Sequence, residues 1–82
     1  HYSVALRYDP DKDAAPICVA KGVDALALRI REAAKEAGVP VLENVPLARA
    51  LFASVEIDKS VPREHFEAVA KVISFVLNTA QA

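Results

Sequence analysis

Over the first eight residues apolar side chains recur at every second position. Tyr2, Val4, Leu6 and Tyr8 fall on one face, and Ser3, Ala5 and Arg7 fall on the other. This is the period-two pattern of a half-buried strand. A second run, Ile17 to Lys21, is apolar on both faces and reads as a strand covered from both sides, with Gly22 providing the turn into a helix. Between them lies Asp9-Pro10-Asp11-Lys12-Asp13-Ala14-Ala15-Pro16, dense in turn formers and bounded by prolines. That composition predicts a hairpin loop.

The period then lengthens. Val23, Leu26, Ala27, Ile30, Ala34 and Ala37 recur in steps of three and four, predicting a helix capped by Asp24 and stopped by Gly38. Val39-Pro40-Val41-Leu42 resumes an extended pattern, so strand, helix, strand predicts a βαβ unit with parallel strands and Pro40 at a strand start or edge. Pro46 suits the first turn of a short helix that places Leu47, Ala50, Leu51 and Ser54 on one side. After a polar connector, Ile57 to Pro62, the positions Phe66, Val69, Ala70, Ile73 and Leu77 trace the expected buried face of the longest helix. Val72 and Phe75 lie off that stripe, and the tail from Thr79 to Ala82 is expected to fray. The fold class read from the pattern is therefore α/β: one domain over residues 1–82, with a small sheet of three strands surrounded by helices.

Composition narrows the possible functions. An 82-residue chain buries only about 60–65% of its unfolded surface, so a partner segment would help it. Ten basic and eleven acidic side chains leave a formal charge of −1, which offers no field to gather nucleic acid. No apolar run approaches the ~20 residues of a membrane span. Cys18 is the only cysteine and sits in the apolar run Ile17-Cys18-Val19-Ala20, so it reads as a buried thiol. Asp9, Asp11 and Asp13 imitate the opening of a calcium loop. Ala14 and Ala20 stand where such a loop needs Gly and Glu, so neither metal nor cofactor is expected. Nor does the sequence hold a nucleophile triad, a phosphate loop or paired carboxylates on one face, so no turnover enzyme is expected. His65, Arg49 and Lys21 read as a solvent-facing side chain, a solvated charge and a strand-end charge. The chain contains no Met, so His1 is not a translation start, and a segment upstream is expected.

The opening His-Tyr-Ser-Val-Ala-Leu-Arg-Tyr-Asp resembles the stretch that follows the cut in the FlhB/YscU family, the autocleaving export-gate proteins of flagellar and virulence type III secretion. His1 would be the last member of that family's Asn-Pro-Thr-His signature, whose first three residues are not in this chain. Three further stretches are similar to the family: Ala20-Lys21-Gly22, Pro46-Leu47-Ala48-Arg49-Ala50-Leu51, and Val61-Pro62 with Phe66-Glu67-Ala68-Val69-Ala70. The resemblance runs from His1 to about Leu77 and favours the flagellar branch over the injectisome branch.

The resemblance implies a small α/β domain whose sheet is mostly parallel, with a fourth strand contributed from upstream of the cut. It also implies a parent membrane protein with four transmembrane helices, on the cytoplasmic face of the bacterial inner membrane. It assigns a single Asn-Pro self-cleavage in which His1 assists, and no catalytic turnover. It places an export-substrate docking pocket on Ala15, Pro16, Ala70 and Ile73. The implied partners are the upstream fragment, rod- and hook-type export substrates, a hook-length control protein, and other export-gate and ATPase components. The implied role is in the switch of export from rod and hook to filament components. Two rivals stay open: a small soluble α/β binding module unrelated to secretion, and a hydrolase or transferase fragment whose machinery lies upstream.

Overall fold

The computed structural model describes residues 1–81, with side chains through Asn78. Strand β1 (Tyr2–Arg7) and strand β2 (Ile17–Val23) form the hairpin expected from the proline-bounded loop. They pair antiparallel, from Tyr2 opposite Val23 to Arg7 opposite Ile17. The register shifts between Ala5 and Leu6, where Val19 is the extra residue of a bulge. That extra residue returns Cys18 to the Leu6 side, and Cys18 is fully buried.

Each face of the hairpin is covered by different helices. Helix α1 (Ala25–Glu36) lies over the Ser3 face, where the Ser3 hydroxyl donates to the Ala27 carbonyl at 2.9 Å. Gly22 is part of β2 on that face, and a Cβ there would stand 2.5 Å from Cγ of Leu26. Its role is therefore room for the helix, rather than the turn freedom the sequence suggested. The positive φ belongs to the next turn residue, Asp24, at 54°. Asp24 occupies the N-cap position, yet its side chain makes no cap hydrogen bond. Gly38, at φ 73°, ends α1 as expected, its amide donating to the Lys35 carbonyl.

On the opposite face Val4 and Leu6 pack with Leu47 and Leu51 of helix α2 (Val45–Ser54) and with Val69 and Ile73 of helix α3 (Phe66–Gln81). Val55 and Val61, from the segment joining the two helices, complete this core with Cys18. Asn44 caps α2 by accepting the Leu47 amide at 3.2 Å. A 3₁₀ turn, Arg63–His65, leads into α3. The helix continues to Gln81, past the point where the sequence suggested a frayed tail; Ala82 lies outside the described residues.

The α/β class holds, but the predicted sheet does not. Val39–Leu42 forms no strand, so the described residues contain no βαβ unit and no parallel pair. Antiparallel pairing follows from the short loop joining β1 to β2, which is too short for a crossover. The third pairing segment lies elsewhere, in what reads as a polar connector. Residues 58–61 run along the second edge of β2: the Cys18 amide donates to the Lys59 carbonyl, the Asp58 amide to the Cys18 carbonyl, and the Val61 amide to the Pro16 carbonyl. Ile17 and Ser60 form the bridge between them. A turn with Asp58 at φ 71°, closed by the Lys59 amide on the Glu56 carbonyl, starts this segment.

Candidate functional site

Two regions carry the residues singled out above. The first is the start of β1. His1 is exposed, and its carbonyl accepts the Asp24 amide at 2.9 Å, tying the chain to the entrance of α1. Tyr2 is half-buried, its ring 5.0 Å from that of Phe52 in α2. Backbone anchoring and an aromatic contact thus fix the strand from its first residue, while the imidazole of His1 stays accessible. The outer edge of β1 has no strand beside it among the described residues.

The second region joins the hairpin loop to α3. Asp13 organises the loop: one carboxylate oxygen accepts the Asp9 amide at 3.1 Å and the other lies 3.4 Å from the Arg7 guanidinium. Asp9 accepts the Asp11 amide in an Asx turn. These carboxylates are spent on the loop's own backbone and on Arg7. Ala15 is buried at 7% exposure, and Pro16 is half-buried. The Pro16–Val61 hydrogen bond links the loop to the core cluster that also holds Val69 and, at its margin, Ile73.

Helix α3 does not bury the face its spacing suggested. Its buried side is Val69, with Val72, Ile73 and Val76 partly covered. Phe66 (40%), Leu77 (54%) and Ala70 are exposed. At 100° per residue these three share one sector with Ile73, leaving an uncharged apolar strip that includes both helix residues assigned to docking. A separate open groove of about 540 Å³ lies between residues 42–44 and α3, lined by Leu42, Glu67, Lys71, Val72 and Phe75 among others. None of Ala15, Pro16, Ala70 and Ile73 lines it.

Lys21 differs from the strand-end charge expected. Its ammonium donates to the Phe52 carbonyl at 3.0 Å and stands 5.1 Å from the Phe52 ring centroid. Its pairing opposite Val4 is the one signal that would have placed it on the α2 face, and the Val19 bulge hides that parity from sequence. His65 is half-buried in the 3₁₀ turn, with Nε2 3.9 Å from the Glu64 carboxylate. Arg49 is exposed. No helix among the described residues is long and apolar enough to cross a membrane.

A hairpin between one helix and a pair of helices is also the fold of solved C-terminal domains of type III export proteins. The crystal structure of the PscU C-terminal domain matches with a TM-score of 0.90 at 38% identity, covering 93% of this chain and 96% of that one. The cytoplasmic domain of FlhB from Shewanella putrefaciens also gives 0.90, at 43% identity over 94% of this chain and 62% of that one. The chain belongs to the FlhB HrpN YscU SpaS family, whose model matches residues 1–76. Among relatives, the flagellar biosynthetic protein FlhB of Bacillus subtilis (strain 168) is 54% identical over 81 residues, covering 99% of this chain and 22% of that protein. Its counterpart in Escherichia coli (strain K12) is 53% identical over 76 residues, covering 93% of this chain and 20% of that protein. The chain thus spans about a fifth of the length of these curated relatives.

Proposed function

We propose that this chain is the downstream, post-cleavage part of the cytoplasmic domain of a flagellar export-gate protein, which docks export substrates and takes part in switching export from rod and hook to filament components. The observation that carries this reading is the start of β1: an accessible His1, a backbone pinned by Asp24, and an outer strand edge with no strand beside it among the described residues. A strand from the upstream fragment would pair with that edge, so both pieces would stay together after the cut. Residues 40–42, extended in sequence character, form no strand among the described residues, which supports a sheet completed by a further segment.

In the self-cleavage, the side-chain amide nitrogen of the Asn attacks its own backbone carbonyl. The succinimide ring forms as the bond to the proline nitrogen breaks, and the proton lost by the amide is matched by one gained on that nitrogen. An amide is a poor nucleophile, so the rate depends on a turn that holds it beside its target. In this reading His1, whose carbonyl accepts the Asp24 amide, steadies the turn or assists the proton transfer. No turnover follows, because the Asn is consumed.

Docking is assigned to Ala15, Pro16, Ala70 and Ile73, together with the apolar strip of α3. The partners in this reading are rod- and hook-type substrates, a hook-length control protein and other export-gate and ATPase components, met at the cytoplasmic face of the inner membrane. The test is a precursor carrying Asn-Pro-Thr before His1. It should run as two bands on a denaturing gel, and replacing that Asn by Ala should leave one. A single uncut band in the unmodified precursor removes the mechanism.

A further inference from the structure

Lys21 joins two parts of the fold that the hairpin alone would leave loose. In register with Val4, it leaves the sheet on the side covered by α2. The Phe52 carbonyl that it meets belongs to the last turn of α2, where carbonyls lack intrahelical donors and the helix dipole is negative. The preceding carbonyl, that of Leu51, is taken by the Val55 amide. Lys21 provides a donor and a positive charge for the next one from a half-buried position.

The contact continues toward the chain start. The Phe52 ring, beneath the Lys21 ammonium, packs against Tyr2 with planes tilted by 57°. Tyr2 is the first residue of the ladder and follows His1 directly. Lys21, Phe52 and Tyr2 therefore form one column from β2 through the end of α2 to the point where the chain enters the sheet.

The geometry points to Lys21 as a positioning residue for self-cleavage: by capping α2 and holding Phe52 against Tyr2, it fixes the downstream anchor of the turn in which the Asn must reach its own carbonyl. This rests on the self-cleavage reading above. Intramolecular attack needs a held near-attack geometry, and a shift of about 1 Å from a distant mutation costs up to about 10²-fold in rate.

The experiment follows the cleavage half-time of the full-length precursor by pulse labelling and denaturing gels. Lys21→Met is expected to lengthen it about tenfold, within the range that misplacement produces. Lys21→Arg, which keeps a donor and a cation over the ring, is expected to restore most of the rate. Val69→Ala, which opens the core away from this column, serves as a stability control. If Lys21→Met does not fold, Phe52→Leu replaces it, removing the ring that links Lys21 to Tyr2, with the same slowing expected. Cutting at the unmodified pace in the variant used, or slowing no greater than in Val69→Ala at matched urea midpoint, overturns the assignment. Failure of the unmodified precursor to cut overturns the self-cleavage reading itself.

Discussion

The amide of Val61 donates to the carbonyl of Pro16 at 2.9 Å, which makes the end of the hairpin loop and the approach to α3 a single hydrogen-bonded unit. Val61 is buried to 1% exposure, in the cluster that also holds Val69. Amide hydrogen exchange should therefore find Val61 and Cys18 among the slowest, opening only with global unfolding. The amides of Val41 and Leu42, outside any helix or strand, should exchange quickly, and on the proposed reading should slow when an upstream strand is supplied. Fast exchange at Val61 would show that residues 58–61 do not hold as a third pairing segment.

Ala15 and Ala70 should separate docking from folding. Ala70 is exposed, so Ala70→Glu should leave the urea midpoint nearly unchanged while weakening an export-substrate peptide about tenfold, or about 1.4 kcal/mol. Ala15 is buried, and Ala15→Glu places an unpaired charge in that site, costing about 3 kcal/mol or more of stability. Binding by titration calorimetry and denaturation in urea decide both. Unchanged peptide affinity in a folded Ala70→Glu protein would sink the assignment of α3 to docking.

Gly22→Ala should destabilise the fold by about 1–3 kcal/mol. The new methyl would meet Leu26 Cγ at 2.5 Å and Cβ at 2.9 Å, and the second atom moves only if α1 shifts from the sheet. Urea denaturation measures the loss. A neutral result would mean that α1 sits less closely on β2 than described.

Cys18 should be silent toward a thiol reagent in the folded protein and react on unfolding. Burial, with a smaller contribution from Asp58, pushes its pKa above the ordinary 9.0. The folded state then holds the proton more tightly than the unfolded one, so this contribution to stability is complete below pH 9 and is lost as pH rises through the folded value. Comparing urea midpoints from pH 8 upward with those of Cys18→Ala isolates the effect; parallel curves would refute it.

Much of the architecture was legible from local pattern. The proline-bounded loop, Gly38 at the end of α1 and Pro46 in the first turn of α2 all act within a few residues and stand in the structure. The alternation of Tyr2, Val4 and Leu6 gives the strand β1, but its Ser3 face is buried under α1 rather than left half open. Val39–Leu42 shows where local pattern misleads. Its residues favour extension, but a strand exists only if another backbone lies alongside. Helix α3 shows the same gap differently: a three-four spacing identifies Phe66, Ala70, Ile73 and Leu77 as one apolar face, yet says nothing about whether that face turns inward.

The amino-acid order by itself determined the α/β class, the hairpin, the three helices and the motifs that mark the family, because each depends on neighbours in the chain or on side-chain identity. Tertiary structure alone decided that residues 58–61 pair with β2, that Ala15 is buried while Ala70 is open, and that Lys21 caps α2 over the Phe52 ring that packs on Tyr2. Those relationships join groups up to 45 residues apart, as Pro16 is from Val61. Whether such groups meet is settled by packing, which no window along the chain contains.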